Sequence, residues 1–258
     1  MIGSVCGLYR YPVKGFTPEL LAMAALQVHG GFPDDRLYAV ENGPSGFDPT
    51  APAFISKTRF TVLAQIAEVA QIRTRYDEGV FHAEKSGQGA IDADLRTEEG
   101  RLALADWLET AIDAAHRRGP LRVVHAPGHR FMDHPQGHVS VLNLASVEAL
   151  GAKLGKTLDP LRFRANIHVS GWPAWAEVEF EPGQRIRLGA AEVELFKPIV
   201  RCAATHVDPT LGVRDVEMVD ALRRFEGHIH CGLYVHVAAG GVVSMGDRAE
   251  VEPMKANA

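Results

Sequence analysis

Closely spaced turn signals constrain this chain more than any other feature. Residues 42–52 hold three prolines and two glycines, and Gly30-Gly31, Gly119-Pro120, Pro182-Gly183 and Gly240-Gly241 break the chain elsewhere. A chain cut this often can build short strands but few long helices. The runs between the breaks are rich in β-branched and aromatic residues. Residues 4–13, 26–28, 36–40, 80–84, 121–125, 139–143, 178–180, 185–188, 191–195, 233–237 and 242–244 read as strands. Residues 67–76 read as one more, pairing with 80–84 across Asp77-Glu78-Gly79. The expected fold class is α+β, mostly β, and barrel-like, with a few helices on its periphery.

Residues 101–118 are the clearest helix, because Leu104, Leu108, Ala111, Ile112 and Ala115 make one apolar stripe at i, i+3 and i+4 spacing. Arg117, Arg118 and then Gly119-Pro120 end it. A domain boundary is expected there, giving residues 1–118, residues 119–253 and a tail at 254–258. A short helix is expected from Ser146 as N-cap to about Leu154, and an amphipathic one capped by Asp215 and carrying Met218, Leu222 and Phe225.

Composition narrows the classes of function. The 258 residues carry 27 Lys+Arg against 32 Asp+Glu, a formal net charge of −5, which argues against a nucleic-acid groove. The 46% hydrophobic content supplies a sizeable core without disulfides. No apolar run approaches the ~20 residues that span a bilayer, and no basic leader is visible, so a cytoplasmic protein with no membrane partner is expected. The three cysteines, Cys6, Cys202 and Cys231, lack a CxxC spacing.

Cys202 follows Arg201, and a cation beside a thiol favours the nucleophilic, metal-binding thiolate; the alternative is a buried core cysteine. Arg162, Arg164 and Asn166 alternate, so an extended segment would point all three at one phosphate or carboxylate, or else leave them on a solvated face. Lys14 stands in a Pro/Gly-bounded turn, where the alternative is a solvated side chain. His125, His129, His134 and His138 form one cluster and His228, His230 and Cys231 another, but neither has a recognised metal-ligand spacing. No G-x-S-x-G elbow or Gly-rich phosphate loop is present.

Taken in order, Tyr11-Pro12-Val13-Lys14, then 162–167 with Ser170-Gly171, then Arg201-Cys202 with Thr205, Val207-Asp208-Pro209 and Gly212, and finally 244–247 resemble the MOSC family. The two-domain members, which include the mitochondrial amidoxime-reducing component and its bacterial relatives, are closest in layout. That resemblance implies an N-terminal β-barrel domain followed by a MOSC β-barrel domain, and a pyranopterin molybdenum cofactor. It makes Cys202 the metal ligand and catalytic residue, its pKa lowered by Arg201, with Lys14, Arg164, Asn166 and Arg201 holding the cofactor. Tyr234 lies near the family's pocket edge and either touches cofactor or packs. Cys6 and Cys231 are read as structural.

The implied activity is reduction of N-hydroxylated or other N-oxygenated small molecules. No iron–sulfur cysteine cluster is present, so a separate ferredoxin- or cytochrome-like donor protein would supply electrons. A sulfur carrier with a Cys202 persulfide, or a non-enzymatic cofactor carrier, are the alternatives. The chain departs from the family pattern at Gly15 and Val200, each where Ser is common. Asn143 replaces another Ser, and Arg59 stands near an expected cofactor-facing arginine in a poorly matching context.

Overall fold

The computed structural model describes residues 1–136 and 139–253, so the expected tail and His138 lie outside the described residues. In chain order the first half holds β1 (Ile2–Arg10), β2 (Glu19–Leu20), β3 (Met23–Leu26), β4 (Tyr38–Asn42), β5 (Arg73–Asp77), β6 (Val80–Lys85), β7 (Gly89–Asp94) and α1 (Glu98–Ala111). The second half holds β8 (Leu121–His125), β9 (Val139–Asn143), α2 (Leu144–Leu154), β10 (Ile167–Ser170), β11 (Arg185–Leu188), β12 (Ala191–Val200), α3 (Met218–Glu226), β13 (His230–Ala239), β14 (Gly241–Ser244) and β15 (Arg248–Val251). The fold is mostly β.

Seven strands close into a barrel in the order β10-β9-β13-β12-β11-β15-β1, with β1 returning to pair with β10. Period-two alternation turns Val193, Leu195, Leu233, Val235, Ile186 and Val169 inward, each at most 2% exposed. Burying each such side chain contributes about 1.5–3 kcal/mol, so this interior is the dominant favourable term for the barrel. Closure also removes the free strand edges of a sheet this size.

A second core fills the first half, where α1 packs Leu104, Leu108 and Ala111 against the β4–β8 pair and the β5-β6-β7 sheet. Thr97 caps α1 by accepting from the Gly100 amide at 3.0 Å. Leu104→Ala there would cost about 2–5 kcal/mol. The two halves exchange strands across Gly119: β1 lies in the later barrel, whereas β8 pairs with β4 of the earlier core. This exchange fixes the cores against each other and leaves a cleft at their junction.

Several local expectations change. Helix α1 ends at Ala111 and a short 3-10 turn at Ala114–His116 follows, because Asp113 caps that turn instead. Residues 67–71 form a 3-10 turn ahead of β5, and Ala176–Glu179 is a 3-10 turn, not a strand. Asn143, not Ser146, caps α2, and Asp215 caps nothing because its carboxylate pairs with Arg162 and Lys156. Strand β14 pairs with β3. Among the described residues, no helix is long and apolar enough to cross a membrane.

Candidate functional site

Cys202 sits where β12 ends, at the start of the 3-10 turn Ala203–His206. Thr205 ties that turn down, its hydroxyl donating to the Cys202 carbonyl at 2.9 Å. The sulfur faces the cleft and is half-buried. The nearest cation is Lys57, whose Nζ lies 3.2 Å from Sγ. Lys57 comes from a single 3-10 turn, Lys57–Arg59, capped by Ser56.

Arg201, adjacent in sequence, turns away from the thiol. Its Nε and Nη1 donate to the carbonyls of Cys231 and Phe163, each at 2.7 Å. Neighbours on an extended strand point to opposite sides, so the cation expected beside Cys202 is supplied by Lys57 instead. Gly232 makes room for Arg201, because a Cβ there would lie 3.0 Å from Nη2. Arg201 is among the residues that line the cleft, and its Nη2 is buried without a partner.

Lys14 is 2% exposed, not solvated. Its Nζ donates to the Phe131 carbonyl at 2.8 Å and to Asp133 Oδ1 at 2.5 Å. Burial pulls the Lys14 ammonium below its ordinary range, partly offset by Asp133. The Asp133 side chain is still 43% exposed; the desolvation its neighbours impose works against the carboxylate, but Lys14, Lys57 and Arg36 outweigh it and hold the carboxyl below the usual range. Asp133 Oδ2 lies 3.6 Å from Lys57, so one carboxylate joins Lys14 to the cation beside Cys202.

The alternating pattern of Arg162, Arg164 and Asn166 does not lie on an extended strand. Asp159 caps a 3-10 turn at Pro160–Phe163, and Arg164 takes a left-handed conformation at φ 53° before β10 begins. Arg162 is thereby paired with Asp208 and Asp215. Arg164 stacks 4.3 Å over the Tyr11 ring and donates to the Phe16 carbonyl at 2.8 Å, while its own Nη2 stays buried without a partner. Desolvation lowers the Arg164 guanidinium to about 10.

Asn166 does not line the cleft. Its Oδ1 accepts from the amide and hydroxyl of Ser140 at 3.1 and 2.8 Å, and its Nδ2 donates to the Tyr9 carbonyl at 3.0 Å. It therefore positions Ser140, which does face the cleft. Tyr234 lines the cleft from β13, opposite Lys197 of β12. Burial raises its phenol above the ordinary range.

Arg59 is exposed and outside the cleft, whereas Val200 borders it. Asn143 is spent on Glu177 and the Pro173 carbonyl, each at 2.8 Å. Gly15 adopts φ +92°, and a Cβ there would lie 2.4 Å from the Thr61 carbonyl oxygen, so this backbone excludes Ser. The first histidine cluster scatters, with His125 stacked on Tyr38 and His129 packed on Phe131, whereas His228 and His230 stack on each other beside Trp175. Among the described residues, no three His, Cys, Asp or Glu side chains gather as a metal site.

Sequence reasoning missed Lys57, Arg36, Asp133 and Lys197. Arg36 bonds Asp35 and donates to the Arg164 carbonyl at 3.2 Å. None of the four carries a local signal: apart from Asp35 beside Arg36, their partners come from distant segments.

The description "MOSC N-terminal beta barrel domain" matches residues 2–118, and "MOSC domain" matches residues 128–250. The chain belongs to the MOSC domain family. Among its MOSC relatives, molybdenum cofactor sulfurase of Caenorhabditis briggsae is 30% identical over 137 residues, 51% of this chain and 18% of that protein. Mitochondrial amidoxime-reducing component 1 of Mus musculus is 33% identical over 75 residues, 29% of this chain and 21% of that protein. The matched segments thus span about a fifth of these two relatives' length. The crystal structure of the YuaD protein from Bacillus subtilis covers 97% of this chain and 96% of its own, at 14% identity and a TM-score of 0.44.

Proposed function

We propose that the cleft holds a pyranopterin molybdenum cofactor and that the protein is a cytoplasmic oxidoreductase acting on N-hydroxylated or other N-oxygenated small molecules, with electrons from a separate donor protein. The observation that carries this reading is the donor set. One half-buried thiol has a cation 3.2 Å away, and two buried guanidinium nitrogens, on Arg164 and Arg201, have no partner. A soft sulfur suits molybdenum, and unpaired guanidinium N–H groups suit an anionic phosphate or a pterin oxygen. An orphaned buried donor costs about 1–3 kcal/mol, and an anion in the cleft would recover it.

The chemistry such a cofactor supplies is two-electron oxygen-atom transfer. In this reading Cys202 offers the sulfur ligand, and Lys57 balances the negative charge that ligation keeps there. Arg164 and Arg201 are fixed by backbone carbonyls, so their free Nη2 atoms are oriented before any ligand arrives. Lys14 and Asp133 hold the charge pattern around the thiol. Asn166 holds Ser140 in place in the cleft wall.

The test is reduction of an amidoxime by dye-reduced protein from a cofactor-competent host, comparing the parent chain with Cys202→Ala. Turnover by the parent and loss in the variant is expected. Molybdenum-free protein with a removable sulfur adduct on Cys202 would favour the sulfur-carrier alternative. Bound cofactor without turnover would favour the non-enzymatic carrier.

A further inference from the structure

One side of the cleft differs from the rest. Strand β12 carries a bulge between Leu195 and Lys197, where the register against β13 shifts. Strict alternation would send Phe196 and Lys197 to opposite faces; at the bulge both are half-buried, with Lys197 in the cleft wall and the Phe196 ring against His134 of that wall. His134 lies 5.5 Å from the Phe196 ring and 6.2 Å from Tyr234, and His236 lies 4.9 Å from Phe196. The result is a run of rings leading outward from the cavity that holds Cys202, with His134, Lys197 and Tyr234 in its wall.

Lys197 ends this run with its Nζ 5.3 Å from the Phe196 ring centroid. Of the other cations here, Lys14 and Lys57 pair with Asp133, Arg162 pairs with Asp208 and Asp215, and Arg164 and Arg201 bond backbone carbonyls while each keeps one Nη2 without a partner. Among the described residues, Lys197 has neither a carboxylate nor a carbonyl partner. Desolvation and Lys197 both lower the His134 imidazole below its ordinary range.

We propose that the rings of His134, Phe196 and Tyr234, with Lys197, form the substrate-docking face of the cleft, and that it takes a planar aromatic compound carrying an anionic substituent. This rests on the oxidoreductase reading for what happens to the compound, but not for its binding. Offset or edge-on stacking selects the aromatic plane. An unpaired ammonium beside the rings selects the anion and sets which end of the molecule points toward Cys202. Lys197 is then a specificity-determining residue, and Phe196 and Tyr234 supply the surface.

The test is a calorimetric titration of the purified full chain with benzamidoxime, 4-carboxybenzamidoxime and cyclohexanecarboxylate. The aryl carboxylate is expected to bind about tenfold or more tighter than either of the others, equivalent to about 1.4 kcal/mol. Lys197→Met should erase that preference and Lys197→Glu should invert it, both variants keeping the parent's unfolding midpoint because the side chain is half-exposed. Equal affinity for all three compounds, or a preference that survives Lys197→Glu, would overturn the proposal. Binding is read without turnover. A retained preference in protein that reduces nothing therefore sinks the oxidoreductase reading alone, whereas turnover with no preference sinks the docking face alone.

Discussion

The ammonium of Lys57 lies 3.2 Å from the sulfur of Cys202, although 145 positions separate them in the chain. The contact joins the two halves of the molecule at the cleft. It also replaces Arg201, the sequence neighbour, whose guanidinium is held by the carbonyls of Cys231 and Phe163.

Thiol reactivity follows from that contact. Burial pushes the Cys231 thiol up to about 12 and also raises that of Cys6. Iodoacetamide at neutral pH is therefore expected to label Cys202 first, as read by peptide mass spectrometry. Lys57→Met should slow that labelling by about 1.5-fold to fivefold, the worth of one partly exposed charge contact. Unchanged labelling in Lys57→Met would remove the functional weight placed on this pair.

The Lys14–Asp133 pair contributes to stability because Lys14 is nearly dry, with a side chain 3% exposed. Asp133→Asn keeps the shape but leaves the ammonium facing a neutral group. A loss of about 2 kcal/mol in denaturant unfolding is expected. The double variant with Lys14→Met should lose less than the sum of the two single changes.

His168 gives the protein an acid sensitivity. Burial, and then Arg201, lower its imidazole to about 4. The unfolded chain, with an ordinary histidine near 6.5, binds more protons across the interval between those values. Stability is therefore full above pH 6.5 and falls as the pH drops toward 4. Between pH 7 and pH 5 this one group accounts for about 2 kcal/mol. Thermal unfolding at the two pH values should show a smaller acid loss in His168→Gln than in the parent.

Gly15→Ser tests whether the departure from the family pattern is imposed by the backbone. With φ at +92° and the Thr61 carbonyl 2.4 Å from a built Cβ, the variant should be destabilised by more than about 1 kcal/mol. A denaturant midpoint equal to the parent's would show that the turn yields easily.

Most of the strands and the α1 stripe are legible because each is encoded within a few neighbouring residues. What was not legible depends on distant partners. Lys57 stands in a Pro/Gly-rich approach with no periodicity, and it is the pairing of β1 with β10 and β15, of β4 with β8 and of β3 with β14 that brings the two halves together. The extended reading of Arg162, Arg164 and Asn166 failed because Pro160 opens a 3-10 turn and Arg164 turns left-handed. Strand β15 gave too short a pattern to read, although its pairing with β1 and β11 completes the barrel. The bulge that exposes Lys197 is likewise a register shift, visible only against β13.

The central claim is that Cys202 and the cationic cleft hold a molybdenum cofactor. Elemental analysis of protein purified from a cofactor-competent host tests it most directly. About one molybdenum per chain is expected for the parent, and close to none for Cys202→Ala at equal folded yield. A parent protein without molybdenum, or a Cys202→Ala variant that retains it in full, would contradict the account.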